Sequence, residues 1–239
     1  MRVLRHVKAR LRRLANAVRP ARLRPDRYTR YRDSWRRPDV ARQMLELTER
    51  QLERPDDAAP YRSFREILSW LTAAEGLPAA ATFLDIGCGM GAYGDLLDRW
   101  APGRFRYLGA DYSDEILAAA AAHAPQRRFT RKNVHERGAL DGFDVVFASA
   151  LVDVLADYEI ALRALLAADA KFVVLHRQRV TTGRPHVDVE PGYRGQWTYR
   201  SYITRDHLGE LARENGRRIA AEVEVDGDVR SFILERAPC

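Results

Sequence analysis

Phe83-Leu-Asp-Ile-Gly87-Cys-Gly89-Met-Gly91 is the stretch on which the reading of this 239-residue chain turns. Phe83, Leu84 and Ile86 suit a buried strand. Three glycines then follow at alternate positions, and a helix is expected over residues 92–100. Glycine lets the backbone turn tightly and lets a ligand approach without a Cβ in the way. The helix after the turn offers free N–H groups and the positive end of its dipole, which suit a carboxylate. Asp85 places a negative charge at the strand end, where it suits an ammonium.

Working outward, Tyr107-Leu-Gly-Ala-Asp111 is a second strand that ends in an acid. In a doubly wound fold an acid there accepts the hydroxyls of a ribose. Tyr112 is placed to lie against an adenine, and Asn133, where the next strand should end, offers its amide to the adenine edge. Ser149, at the end of the fourth strand, completes the cofactor-binding set of Asp85, Gly87, Gly89, Gly91, Asp111, Tyr112, Asn133 and Ser149. An amino-acid end beside a ribose and adenine describes S-adenosylmethionine (SAM). A dinucleotide is the rival, since Gly87, Gly89 and Ala92 also fit G-x-G-x-x-A and Asp111 suits NAD equally well. Three observations favour SAM. Asp85 would repel a pyrophosphate, a long helical region precedes the glycines, and the sheet ends in a hairpin.

That sheet is read from short apolar runs at Thr82–Ile86, Tyr107–Asp111, Phe129–Thr130, Asp144–Ala148 and Phe172–Leu175, with helices at about 92–100, 114–124 and 157–168 between them. Alternating strands and helices with continuous apolar strands imply a parallel sheet covered on both faces. The end differs: Glu222-Val-Glu-Val225, an Asp226-Gly227 turn and Ser231-Phe-Ile-Leu234 read as an antiparallel hairpin. The fold expected is a Rossmann-like α/β three-layer sandwich whose mostly parallel seven-stranded sheet closes on that hairpin, preceded by N-terminal helices.

Three regions are expected: a basic amphipathic arm over 1–37, a helical lead-in over 38–78 and a SAM-binding domain over 79–239. The arm holds fourteen Arg or Lys against two acids, a local charge of +12, so the net +7 of the chain conceals a mildly acidic body. Leu4, Val7, Leu11, Leu14 and Val18 form one helical stripe within it. In the lead-in, a helix from about Pro38 to Glu53 turns Val40, Met44 and Leu47 inward. A second, from about Pro60 to Glu75, carries the stripe Tyr61, Phe64, Ile67, Leu68 and Leu71. Apolar content of 46% fits a globular protein. No apolar run is long enough to span a bilayer, no secretory signal is evident, and the two cysteines offer no disulfide framework. These features point to a cytoplasmic protein.

The segment from about 82 to 236 resembles the class I SAM-dependent methyltransferases through Leu84-Asp-Ile-Gly-Cys-Gly-Met-Gly91, Gly109-Ala-Asp-Tyr112 and Phe143-Asp-Val-Val-Phe-Ala-Ser149. The resemblance implies a seven-stranded sheet with its last strand antiparallel and SAM across the carboxyl ends of the first strands. It puts Asp85, Gly87, Gly89 and Gly91 at the methionyl end and Asp111 on the ribose. Many relatives have an acid where Asn133 stands. The activity implied is methyl transfer to oxygen or nitrogen of a small-molecule or glycan acceptor.

The acceptor side is expected from the end of strand four, Ser149 to Asp153, from the end of strand five and from a long insertion before the hairpin. Aromatic residues of the insertion, beside Arg184, Arg194 and Arg200, favour an anionic or aromatic acceptor. That insertion opens on His176-Arg-Gln-Arg179 and holds His186, Asp188, Tyr193, Trp197, Tyr199 and Tyr202 outside secondary structure, as lids often are. His176 is the first candidate for a general base and His186 the second; each has the alternative of a structural histidine. No metal is expected. An arginine-rich helix suits peripheral contact with an anionic membrane through residues 1–25. Phosphate binding in an RNA methyltransferase, or packing on the lead-in helices, is the alternative. An NAD-dependent oxidoreductase or epimerase, or a non-catalytic binding protein on the same fold, are the other readings.

Overall fold

The computed structural model describes residues 34–192 and 197–237. The expected arm helix over 2–18, the membrane contact through residues 1–25, Tyr193 and Cys239 lie outside the described residues.

Two helices lead in. Helix α1 (Pro38–Glu53) and helix α2 (Ala59–Ala73) each begin with proline in the first turn, where its missing N–H costs nothing. Helix α2 buries Tyr61, Phe64, Ile67, Leu68 and Leu71, the stripe read from the sequence. Helix α1 buries Val40 and Ala41; Leu47 lines a cavity, and Met44 lines it too while packing against the buried cluster of Ala41, Met90 and Ile116.

The α/β body follows in order: β1 (Ala81–Ile86), α3 (Ala92–Trp100), β2 (Phe105–Asp111), α4 (Asp114–His123), β3 (Phe129–Arg131), β4 (Val145–Ser149), α5 (Tyr158–Ala167), β5 (Phe172–Val180), β6 (His186–Pro191), β7 (Trp197–Ile203), α6 (Arg205–Glu214), β8 (Arg217–Asp226) and β9 (Val229–Arg236). Strands β3, β2, β1, β4 and β5 lie side by side and parallel. Strand β9 pairs antiparallel with β5, and β8 antiparallel with β9. That path of seven strands, closed by the Asp226-Gly227 hairpin, is the expected fold.

The chain adds to it. The insertion read as lying outside secondary structure is an antiparallel hairpin, with His186↔Tyr202 through Pro191↔Trp197 in register. Strand β7 joins the sheet through Arg179↔Tyr202 and Val180↔Ile203. Among the described residues the sheet therefore has nine strands. The reason is local: Val187 and Val189 alternate with Asp188 and Glu190, and Thr198, Tyr199, Tyr202 and Ile203 favour extended backbone.

One apolar cluster lies on each sheet face. Leu84, Val146, Val173, Leu175 and Phe232 pack with α5 and α6 on one side; Phe83, Val145, Phe147, Val174 and Ile233 pack with α2 and α3 on the other. Arg217, at the start of β8, is 1% exposed and is the largest fully buried side chain. Its guanidinium donates to the carbonyl oxygens of Leu166 (2.6 Å), Ala168 (2.7 Å), Ala170 (2.9 Å) and Lys171 (3.5 Å). These carbonyls close α5 and lead into β5, so one cation satisfies acceptors at the negative end of a helix. Burial lowers the guanidinium's pKa to about 10.

Candidate active site

The carboxyl ends of β1, β2 and β4 and the bent end of β5 open on one cavity of about 610 Å³, roofed by Trp35, Gln43, Met44 and Leu47. Crevices at the carboxyl ends of such strands are where open α/β sheets bind ligands.

Gly87, Gly89 and Gly91 have φ of 74°, 54° and 76°, a region that side-chain-bearing residues adopt at a cost. A Cβ on Gly87 would sit 3.0 Å from Leu151, and one on Gly89 would sit 3.0 Å from Met44. Both neighbours line the cavity, so the absent side chains are what keep this cradle open. Gly91 caps α3 in the left-handed conformation. A Cβ there would meet the Phe129 ring at 2.8 Å, so Gly91 serves the packing of the turn.

Asp111 lines the cavity at 5% exposure. Its carboxylate accepts from the backbone N–H of Ser113 (3.1 Å) and of Gly89 (3.4 Å), which ties the second strand end to the glycine turn. Burial outweighs those bonds and raises its pKa to about 6. Asp85 is fully buried behind the turn and does not line the cavity. The Tyr107 hydroxyl donates to its Oδ2 at 2.9 Å, while Oδ1 has no hydrogen-bond partner among the described residues. Burial, with Asp111 nearby, lifts its pKa to about 7. A buried carboxylate oxygen with spare accepting capacity, behind a cradle that a Cβ would fill, fits a cationic amino-acid head beyond the turn.

Tyr112, Asn133 and Ser149 also line the cavity. The Arg36 guanidinium lies 5.3 Å from the Tyr112 ring centre, and Asn133 Oδ1 accepts from the His135 N–H at 3.1 Å. Of the expected cofactor residues, Gly87, Gly89, Asp111, Tyr112, Asn133 and Ser149 line the cavity, while Asp85 and Gly91 do not.

The histidines fall elsewhere. His176 is 1% exposed and does not line the cavity. Its Nδ1 lies 2.9 Å from Ser149 Oγ and its Nε2 lies 3.1 Å from Ser63 Oγ. Because Ser63 donates to the Pro60 carbonyl, it accepts from Nε2–H, and Nδ1 accepts from Ser149. Ser149 in turn accepts from the Tyr93 hydroxyl at 2.8 Å. This run of hydrogen bonds points one way, from the cavity wall inward, and burial holds the imidazole's pKa well below its usual value. His186 is exposed on β6, stacked on Tyr202 at 4.7 Å, with Nδ1 beside the Arg184 carbonyl. Neither histidine reaches the cavity.

Sequence reading passed over Tyr93, the second residue of α3, whose hydroxyl lies at the cavity wall beside Ser149. Asp153, expected on the acceptor side after the fourth strand, is 5% exposed and lines the cavity with Arg177, Arg179 and Arg200.

A family model described as a methyltransferase domain matches residues 84–170. Trans-aconitate 2-methyltransferase of Variovorax paradoxus is 34% identical over 106 residues, covering 44% of this chain and 40% of that protein. The match thus spans about two fifths of the length of the curated relative. A SAM-dependent methyltransferase from Clostridium acetobutylicum shares the fold with a TM-score of 0.56 at 10% identity, over 74% of this chain and 92% of its own. A sugar N-methyltransferase from a Streptoalloteichus species does so with a TM-score of 0.56 at 15% identity, over 81% and 93%. The matched segment carries a methyltransferase domain, and the glycine turn and the sheet around it resemble those of SAM-dependent methyltransferases. SAM is the cofactor of such methyltransferases, so the likeness favours SAM over a dinucleotide.

Proposed function

We propose that this chain transfers the methyl group of SAM to a small-molecule acceptor. The observation that carries the proposal is the continuity of one cavity. The glycine cradle and Asp111 line the same cavity as Tyr93, Ser149, Arg177 and the β7 residues Thr198, Tyr199 and Arg200. SAM supplies an electrophilic methyl on a sulfonium. The protein's part is to hold an acceptor atom in line with that methyl, which is where most of the rate advantage of such a displacement arises. In this proposal His176 is a positioning residue. It fixes Ser149, and through it Tyr93, while the exposed His186 takes no part.

The relatives support a small-molecule acceptor. One is named for trans-aconitate and a fold neighbour for a sugar. Among the described residues no helix is long and apolar enough to cross a membrane, and the chemistry proposed needs no membrane partner.

Isothermal titration calorimetry tests the cofactor half. SAM should bind and NADH should not, and Asp111→Ala should weaken SAM about tenfold, or about 1.4 kcal/mol. NADH binding without SAM binding, or an unaffected Asp111→Ala variant, would overturn the assignment.

The same titration has a pH dependence of definite sign. Ribose hydroxyls donate to ionised Asp111, so bound cofactor favours the carboxylate, whereas the empty site holds its pKa near 6. SAM affinity should therefore fall as pH drops through about 6, with protons released on binding just below that value. Stability of the empty protein runs the other way. The folded pKa values of Asp85 and Asp111 are raised, so their contribution is full below the unfolded carboxylate range. It is lost as pH rises through about 6 to 7. Affinity flat between pH 5 and 8 would contradict the role given to Asp111.

A further inference from the structure

We infer that the acceptor carries a carboxylate or phosphate anion, held by Arg177, Arg179 and Arg200. The inference rests on the methyltransferase reading of the same cavity and names the chemistry that its far end recognises.

Three guanidiniums reach one cavity wall from two strands. Arg177 sits where the pairing of β5 with β9 slips between Leu175 and Gln178, a bulge of the kind that redirects a side chain. Its φ is +63°, and at the end of neighbouring β4 Ala150 has φ +49°. Left-handed backbone at side-chain-bearing residues costs about 1 kcal/mol or more. Two such residues at adjoining strand ends mark a place where the chain is bent to aim side chains. The Arg177 N–H donates to Ser231 Oγ at 3.3 Å, which fixes the bend, and its guanidinium lies close enough to Tyr93 to offset part of the rise that burial gives that hydroxyl's pKa. Arg177 therefore stands at the junction between the acceptor end and the Tyr93–Ser149 wall.

Arg179 lies two residues on, and Arg200 comes from β7, two residues before the partner of Arg179 in the ladder. Their acidic neighbours are loosely engaged. Arg179 is 3.8 Å from Asp153 and 3.8 Å from Asp228, and Arg200 is 3.7 Å from Glu190. The Nε of each is buried without a hydrogen-bond partner among the described residues. A buried guanidinium N–H left unpaired is costly. A bidentate anion satisfies such donors in the fork geometry that arginine presents.

The cavity also contains acids, and they do not cancel this excess. Asp111 belongs to the cofactor end, and Asp157 is 3.6 Å from His135. Asp153 stands against the three arginines with one oxygen unpartnered. Burial nonetheless raises its pKa, so it is poorly disposed to hold an ammonium substrate as a bare carboxylate. Asp228 and Glu190 do not line the cavity.

The test titrates protein loaded with S-adenosylhomocysteine, in low salt, with trans-aconitate, its uncharged trimethyl ester and inorganic phosphate. Trans-aconitate or phosphate should bind, the ester should not, and Arg200→Met should lose at least tenfold in anion affinity with the cofactor heat unchanged. Arg177→Met serves as an independent second variant should Arg200→Met fold poorly. Binding of the anions would separate the two sources, a carboxylate or a phosphate ester. Equal binding of acid and ester, unaffected variants, or binding of neither anion would overturn the inference. Failure of S-adenosylhomocysteine to bind would instead strike the methyltransferase reading, so the two failures are distinguishable.

Discussion

Gly89→Val should lower SAM affinity at least a hundredfold, about 2.7 kcal/mol, while the protein remains folded. Two costs combine. The residue has φ +54°, and a β-branched side chain is among the least tolerant of that conformation. The new Cβ also points across the cradle toward Met44, 3.0 Å away, into space that the cofactor must share. Met44 can shift its flexible tip, so the loss should come mainly from the cofactor's volume. Gly103→Val is the control. Gly103 has φ +74° but nothing within 4 Å of its notional Cβ, and it does not line the cavity. That variant should unfold more easily yet bind SAM normally. Equal losses of affinity in the two variants would show that general destabilisation, and not the cradle, had been measured.

Arg217→Met should cost about 3 kcal/mol of stability or more, the largest effect expected from a residue remote from the site. Methionine keeps much of the volume, so cavity formation contributes little. What is lost is the donor set that satisfies the carbonyls of Leu166, Ala168, Ala170 and Lys171. Each carbonyl left buried and unpaired costs about 1–3 kcal/mol before relaxation. Urea unfolding followed by circular dichroism would give the midpoint shift. A change below about 1 kcal/mol would mean that water reaches these carbonyls once the guanidinium is gone. Because Arg217 lies beneath the amino ends of the strands, SAM affinity of the folded fraction should be unchanged.

Much of the body was legible in the chain because its signals are local. Strands β1, β2, β4 and β5 are short apolar runs, and the Asp226-Gly227 pair announces its hairpin. The stripe of α2 was read residue for residue, and Gly87, Gly89 and Asp111 were read at strand ends that do line one cavity. Helix α6 was passed over. Its only buried residues are Leu208, Leu211 and Ala212, a narrow stripe among charges, although Thr204 caps it through the His207 N–H. The β6–β7 hairpin was taken for loop because tyrosine, tryptophan and arginine crowd it, and the alternation of Val187 and Val189 is brief. His176 shows what no local pattern could reveal. Its candidacy as a base was undone by Ser63, 113 residues earlier, and by Ser149, which together occupy both ring nitrogens. Arg200 was legible as a sign of an anionic acceptor, but in company with Arg184 and Arg194; its grouping with Arg177 and Arg179 exists only after a bulge and an inserted hairpin bring β5 and β7 together.

The placement of β9 between β5 and β8 has a consequence for the order in which the molecule can be built. Ribosomes deliver β5 well before Val229–Arg236, the segment that pairs with its Phe172–Leu175 run. During that interval one edge of a strongly apolar strand has no neighbour to satisfy its backbone. Unpaired edges of this kind recruit other chains. A nascent chain stalled within the β6–β7 hairpin would carry a complete glycine turn and Asp111, yet its sheet would be open beside β5. Aggregation during synthesis, more than instability of the finished protein, is therefore the hazard that this topology carries, and a chaperone's help should matter most before β9 emerges.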